Sequence, residues 1–151
     1  MSYIIQVTEV TPTTVTLQAV NQVVEVNNLA LPPLGRTRAI AFVIDGGGSV
    51  ISTGSKGYLE VPFDCEISEW TLFADQTGSI VVDVKRATYA GFPTTASIAG
   101  SEKPTLSSAQ KNQDTSLTTW TTSLTAGDIL EFFVDSSTFV LRVTIVLKVI
   151  I

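Results

Sequence analysis

The chain contains no histidine, a single cysteine and a single methionine. Without histidine it lacks the commonest general base and the commonest transition-metal ligand. A lone cysteine closes no intrachain disulfide and gives no basis for a thiolate metal site, so Cys65 reads as a small buried hydrophobe. Charge is scarce as well: 15% of residues are Asp, Glu, Lys or Arg, with 9 basic against 14 acidic side chains and a net charge of −5. Phosphate binding needs clustered Lys and Arg, and here only Lys85-Arg86 stand side by side, so nucleic acid is not an expected partner. Nor is a membrane. The longest apolar run, Val143 to Ile151, is interrupted by Thr144 and Lys148 and falls far short of the ~20 residues of a spanning helix. The opening MSYIIQVTEV has no basic residue and no signal-peptide pattern, which predicts a soluble protein made in the cytoplasm.

What is present is strand pattern. The 151 residues, 44% hydrophobic, fit one domain with enough apolar surface to meet another subunit. Residues 1–36 read as an N-terminal β-rich arm, with a strand hairpin (Tyr3–Val10 and Thr14–Val20) and a linker around Pro32-Pro33. From residue 37 to 151 the spacing predicts a jelly-roll-like antiparallel β-sandwich, an all-β fold. Ile40, Phe42 and Ile44 share a face, as do Leu59, Val61 and Phe63, and Leu130, Phe132 and Val134. The last strand alternates from Phe139 to Ile151. Val50–Thr53 and Leu117–Leu124 read as further strands. Cys65–Arg86 reads as a central hairpin, with Trp70 and Leu72 facing Ile80, Val82 and Val84 across a turn at Asp75-Gln76-Thr77-Gly78. Thr88–Thr115 reads as a long loop with a helical turn at Ser107–Asn112.

No residue pattern points to chemistry. Gly46-Gly47-Gly48 through Lys56 departs from a Walker loop, because Gly54 precedes Ser55 and strand follows, so a turn is expected. The aspartates at 45, 75, 83, 128 and 135 mostly fall at strand ends, where Asp closes turns, and their spacing fits no calcium loop. Serine and threonine have no partner base. No catalytic residue, metal or cofactor is therefore expected, and the chain is not expected to be an enzyme. Trp70 and Trp120 are expected in the core, whereas Tyr89 and Phe92, in the long loop, are candidates for stacking on a sugar ring.

Several stretches taken together resemble a domain of tailed-bacteriophage structural proteins: Ile44-Asp45-Gly46-Gly47-Gly48, Ala74 to Asp83 (ADQTGSIVVD), Lys103-Pro104-Thr105-Leu106-Ser107, Trp120-Thr121 and Ala126-Gly127-Asp128. The resemblance covers roughly residues 40–149 and implies a non-enzymatic virion component with a jelly-roll fold. A compact domain behind its own arm resembles a capsid cement or decoration protein. That implies a homotrimer on the head shell, with the major capsid protein and further copies of itself as partners. Tyr3, Ile5, Val7, Leu29, Leu31 and Leu34 are then the expected contacts with capsid or neighbouring subunits. The alternative is a tail or fibre module that binds host carbohydrate through Tyr89 and Phe92.

Overall fold

The computed structural model describes residues 35–151, and every statement of structure below concerns these. Residues 1–34 of the arm, with the expected contacts Tyr3, Ile5, Val7, Leu29, Leu31 and Leu34, lie outside the described residues. The fold is all-β: β1 (Thr37–Asp45), β2 (Gly54–Glu60), β3 (Cys65–Ala87), β4 (Ala96–Ser97), β5 (Thr105–Asp114), β6 (Ser123–Leu124), β7 (Ile129–Thr138) and β8 (Arg142–Ile150). All pairings are antiparallel, in the order β1-β8-β3-β7-β2, and β4, β5 and β6 pair with the other edge of β3.

The expected central hairpin is instead one strand of 23 residues. Its first part, Glu66 to Ala74, pairs with β8, and its second, Ser79 to Ala87, pairs with β7. The residues read as a turn serve the bend between these parts. Asp75 Oδ1 accepts hydrogen bonds from the amides of Leu141 (3.3 Å) and Arg142 (3.0 Å), and the Gln76 side-chain amide donates to the Phe139 carbonyl. A Cβ on Gly78 would lie 2.6 Å from the Thr138 carbonyl oxygen, so glycine is required there by close approach. Asp and Gly suit a turn, and they equally suit a strand that bends against a neighbour.

At that bend the sheet folds onto itself. β1, β8 and the first half of β3 form one layer; β2, β7 and the second half of β3 form the other. Phe42 of β1 stacks on Phe132 of β7, ring centroids 4.3 Å apart, although the two strands are not neighbours in the sheet. Between the layers lie Ile44, Ile67, Trp70, Leu72, Ile80, Val82, Val84, Leu130, Val134, Ile145 and Leu147, all buried. This is the expected jelly-roll-like antiparallel sandwich, and Trp70 and Trp120 are in its core.

Other expectations need correcting. Ser107–Asn112 is not a helical turn but part of β5, a polar edge strand with interrupted register against β3. Leu117–Leu124 is strand only at Ser123–Leu124; Trp120 reaches the core from irregular chain, its indole N–H bonded to the Glu102 carbonyl at 3.0 Å. Val50–Thr53 is a connection that buries Ile51 and ties its amide to the Val140 carbonyl. The last strand starts at Arg142, leaving Phe139 exposed in the bend.

Candidate functional site

Three surface features stand out on the described residues. The first is a polar lock on the face of β3 and β7 turned away from the core. Alternation puts Val82, Val84, Leu130 and Phe132 inward and Asp83, Lys85, Glu131 and Phe133 outward, yet Asp83 and Glu131 are only 3% and 6% exposed. The segment between β3 and β5 explains this by folding back over them. Ser97 Oγ donates to Asp83 at 2.6 Å, and Lys103 Nζ bridges Asp83 (3.0 Å) and Asp135 (2.7 Å). The Thr95 hydroxyl donates to Glu131, and Phe92 packs edge-on against Tyr58 at 5.0 Å.

The charges are arranged accordingly. Burial pushes the Glu131 carboxyl up, but hydrogen bonds from Thr95 and Ser55 and the Lys85 charge outweigh it, and the net displacement is downward. Lys85 faces Glu131 directly across the strands while its Nζ sits 3.6 Å from the Phe133 ring centroid. Hydrogen bonds to Asp135 and then Asp83 raise the Lys103 ammonium. Farther along the segment, the Thr118 hydroxyl and Thr119 amide hold Glu102 below the ordinary carboxylate range. Burial pushes the Cys65 thiol up, which suits a packed cysteine and not a nucleophile. Asp83 therefore departs from the strand-end reading of the aspartates. Nothing in its local sequence marks it as buried, because the burial comes from chain that follows it.

The second feature is an open cleft of about 410 Å³ lined by Arg86, Thr88, Tyr89, Ala90 and Thr125 to Asp128. Arg86 spans its floor, donating to the Ser123 carbonyl at 2.9 Å and to Asp128 Oδ2 at 3.4 Å, while Asp128 Oδ2 also accepts from the Thr125 amide. Tyr89, 79% exposed, stands in the wall. Tyr89 and Phe92 are not brought together: Tyr89 lines the cleft, and Phe92 is engaged with Tyr58.

The third is an apolar row on the outside of the opposite layer. Register places Val43 beside Thr144, Thr144 beside Phe73, and Phe73 beside Lys111, all facing outward. Val43 and Phe73 are 55% and 51% exposed, and Phe139 projects from the bend. Beside Phe73 a shallow concavity of about 610 Å³ is lined by Phe73, Ala74, Ala109, Gln110 and Lys111. Among the described residues, no group of acidic or cysteine side chains converges as a metal site.

No family model and no curated protein matches the chain. Among solved structures, the infectious bursal disease virus Gx strain is similar over 76% of this chain and 35% of that chain, at 12% identity and a TM-score of 0.29. At that TM-score the likeness carries no argument about fold or role.

Proposed function

We propose that this chain is a non-enzymatic structural protein of a bacteriophage virion, a capsid cement or decoration protein that sits on the head shell and stabilises it. The observation that carries the reading is the outward row of Val43 and Phe73, apolar side chains 55% and 51% exposed on a sheet that has no intrachain use for them among the described residues. Exposed apolar side chains grouped on a rigid layer mark a surface that meets another protein. The charged groups of the other layer, by contrast, are occupied in holding the chain's own covering segment. The resemblance over residues 40–149 supports the same reading. In it the partners are the major capsid protein and copies of this chain as a homotrimer, and the arm supplies Tyr3, Ile5, Val7, Leu29, Leu31 and Leu34 as further contacts.

Binding to shells stripped of the native protein tests it. Phe73→Asp should fold normally and lose most of its occupancy, and deletion of residues 1–36 should also weaken attachment. Wild-type occupancy by both variants together would sink the reading. A second reading, a tail or fibre module for host carbohydrate, is favoured by the cleft, because an exposed tyrosine beside an Arg–Asp pair can stack on and hydrogen-bond a sugar ring. Glycan binding abolished by Tyr89→Ala would support it.

A further inference from the structure

Edge strands expose unpaired N–H and C=O groups, and proteins blunt them with bulges, short length, prolines or lysines. Most edges here are blunted. β2 is broken by a register shift between Ser55 and Gly57 and carries Lys56; β5 has two shifts against β3; β4 and β6 are two residues each. β1 is different. It runs nine residues, TRAIAFVID, in unbroken register with β8, with no lysine, proline or bulge, and among the described residues it has no partner on its other side.

The hydrogen-bond phase shows which groups are left over. Arg36 and Ile151 exchange both backbone bonds (3.0 and 3.1 Å), and the Gly46 amide bonds the Leu141 carbonyl at 2.7 Å. Such pairs recur at every second residue of an antiparallel ladder. The even-numbered residues of β1 therefore face β8, and the N–H and C=O groups of Thr37, Ala39, Ala41, Val43 and Asp45 point outward. The Arg38 guanidinium already bonds one of these, the Thr37 carbonyl, at 3.0 Å.

We propose that β1 joins two copies of this chain by antiparallel β1–β1 pairing about a two-fold axis through Ala41. That register sets Ala41 against Ala41 of the second copy, Ala39 against its Val43 and Thr37 against its Asp45. Odd residues oppose odd and even oppose even, so the outward-pointing groups of the odd residues meet each other. The charges also agree. β1 carries Arg38 near its start, with Arg36 just before it, and at its end Asp45, which Arg142 of the same chain holds at 2.7 Å, so antiparallel self-pairing opposes no like charges. Ala39 and Ala41 are exposed and small, so nothing at the axis keeps the backbones apart, and the apolar row through Val43 continues across the join. The join goes beyond the cement reading and does not depend on it: it is a two-fold link, separate from any three-fold cluster of copies.

The test uses the full chain. Cys65, the only cysteine, is buried, so an introduced thiol reports alone. Cα atoms of a hydrogen-bonded cross-strand pair lie ~5.5 Å apart, within disulfide range. Under mild oxidation Ala41→Cys should cross-link to itself, Ala39→Cys should not, and Ala39→Cys mixed with Val43→Cys should. Ala41→Lys and Ala41→Glu should each lose the two-fold species in sedimentation, and mixing them should restore it. Equal cross-linking at positions 39 and 41, or an unaltered association state in Ala41→Lys, overturns the proposal. So does a monomer in which the amides of Ala39, Ala41 and Val43 are protected from hydrogen exchange, since residues 1–34 of the same chain would then hold the edge. A wild-type monomer that still binds shells would overturn the join and leave the cement reading standing.

Discussion

Removing the ring at Phe132 or at Phe42 tests whether the sheet closes on itself. Phe132 is fully buried in β7 and Phe42 is half-buried in β1, their planes 11° from parallel. The Phe42 ring also approaches Gly57 of β2, the residue paired with Phe132, where an added Cβ would lie 2.8 Å from its Cζ. Phe132→Ala removes a complete core ring and should lower stability by ~3–5 kcal/mol. Phe42→Ala should lower it by less, roughly 2 kcal/mol, because part of that ring already touches water. The informative quantity is their coupling. An aromatic pair contributes ~0.5–1.5 kcal/mol beyond the area it buries, so the double variant should be less destabilised than the sum of the singles by about that amount. Urea unfolding of the four proteins, with a shared m-value, reads the coupling directly. β1 and β7 share no hydrogen bonds, so an open sheet would keep these rings apart. Strict additivity would refute the closed sandwich even if both singles proved unstable.

Gly78→Ala should destabilise by ~1–3 kcal/mol through overpacking against Thr138 and Val140; a neutral result in thermal melting would mean that residues 75–78 form a free turn after all. Lys103→Met leaves Asp83 buried with only Ser97, and because Lys103 is about a third exposed the expected loss is ~2 kcal/mol, below that of a fully buried pair; adding Asp83→Asn should recover part of it, and no recovery would disconnect the two residues. Glu131 is held below its ordinary value of 4.5, so its contribution is complete above that pH and is lost as pH falls through the lower folded value. Acid unfolding should accordingly be less steep in Glu131→Gln, and identical profiles would remove the carboxylate from the lock. Trp70→Ala should lower stability by ~3–5 kcal/mol, since the ring is 4% exposed; an unchanged melt would place it on the surface.

Where burial follows local alternation, the sequence was readable. β8, with Val143, Ile145, Leu147 and Val149 inward, and β1, with Ile40 and Ile44 inward, stand as their patterns required. Reading failed where distant chain decides. Asp75 and Gly78 carry turn chemistry, but their partners, Leu141, Arg142 and Thr138, lie some sixty residues on, and no local window contains them. β5 was hidden because Ser107 to Gln113 is polar and lies at an edge, where a strand has little to bury. Of the candidate surfaces, Tyr89 was legible as an exposed loop aromatic. The Val43–Phe73 row was not, since its members are adjacent only through the β8 register that separates them in sequence.

The long β3 also sets the order in which the molecule can be made. Both of its edges are filled by later chain, β5 on one side and β7 followed by β8 on the other, and scarcely any of its contacts are local. As the polypeptide leaves the ribosome, Trp70, Leu72, Ile80 and Val82 emerge early and then wait, for seconds at ordinary rates of synthesis, with nothing native to cover them. Loop closure over such separations is slow, and an uncovered apolar strand is the species most prone to pair with the wrong neighbour. Yield from the cell should therefore respond to slower growth temperature and to chaperone supply far more than the thermodynamic stability of the finished fold would suggest.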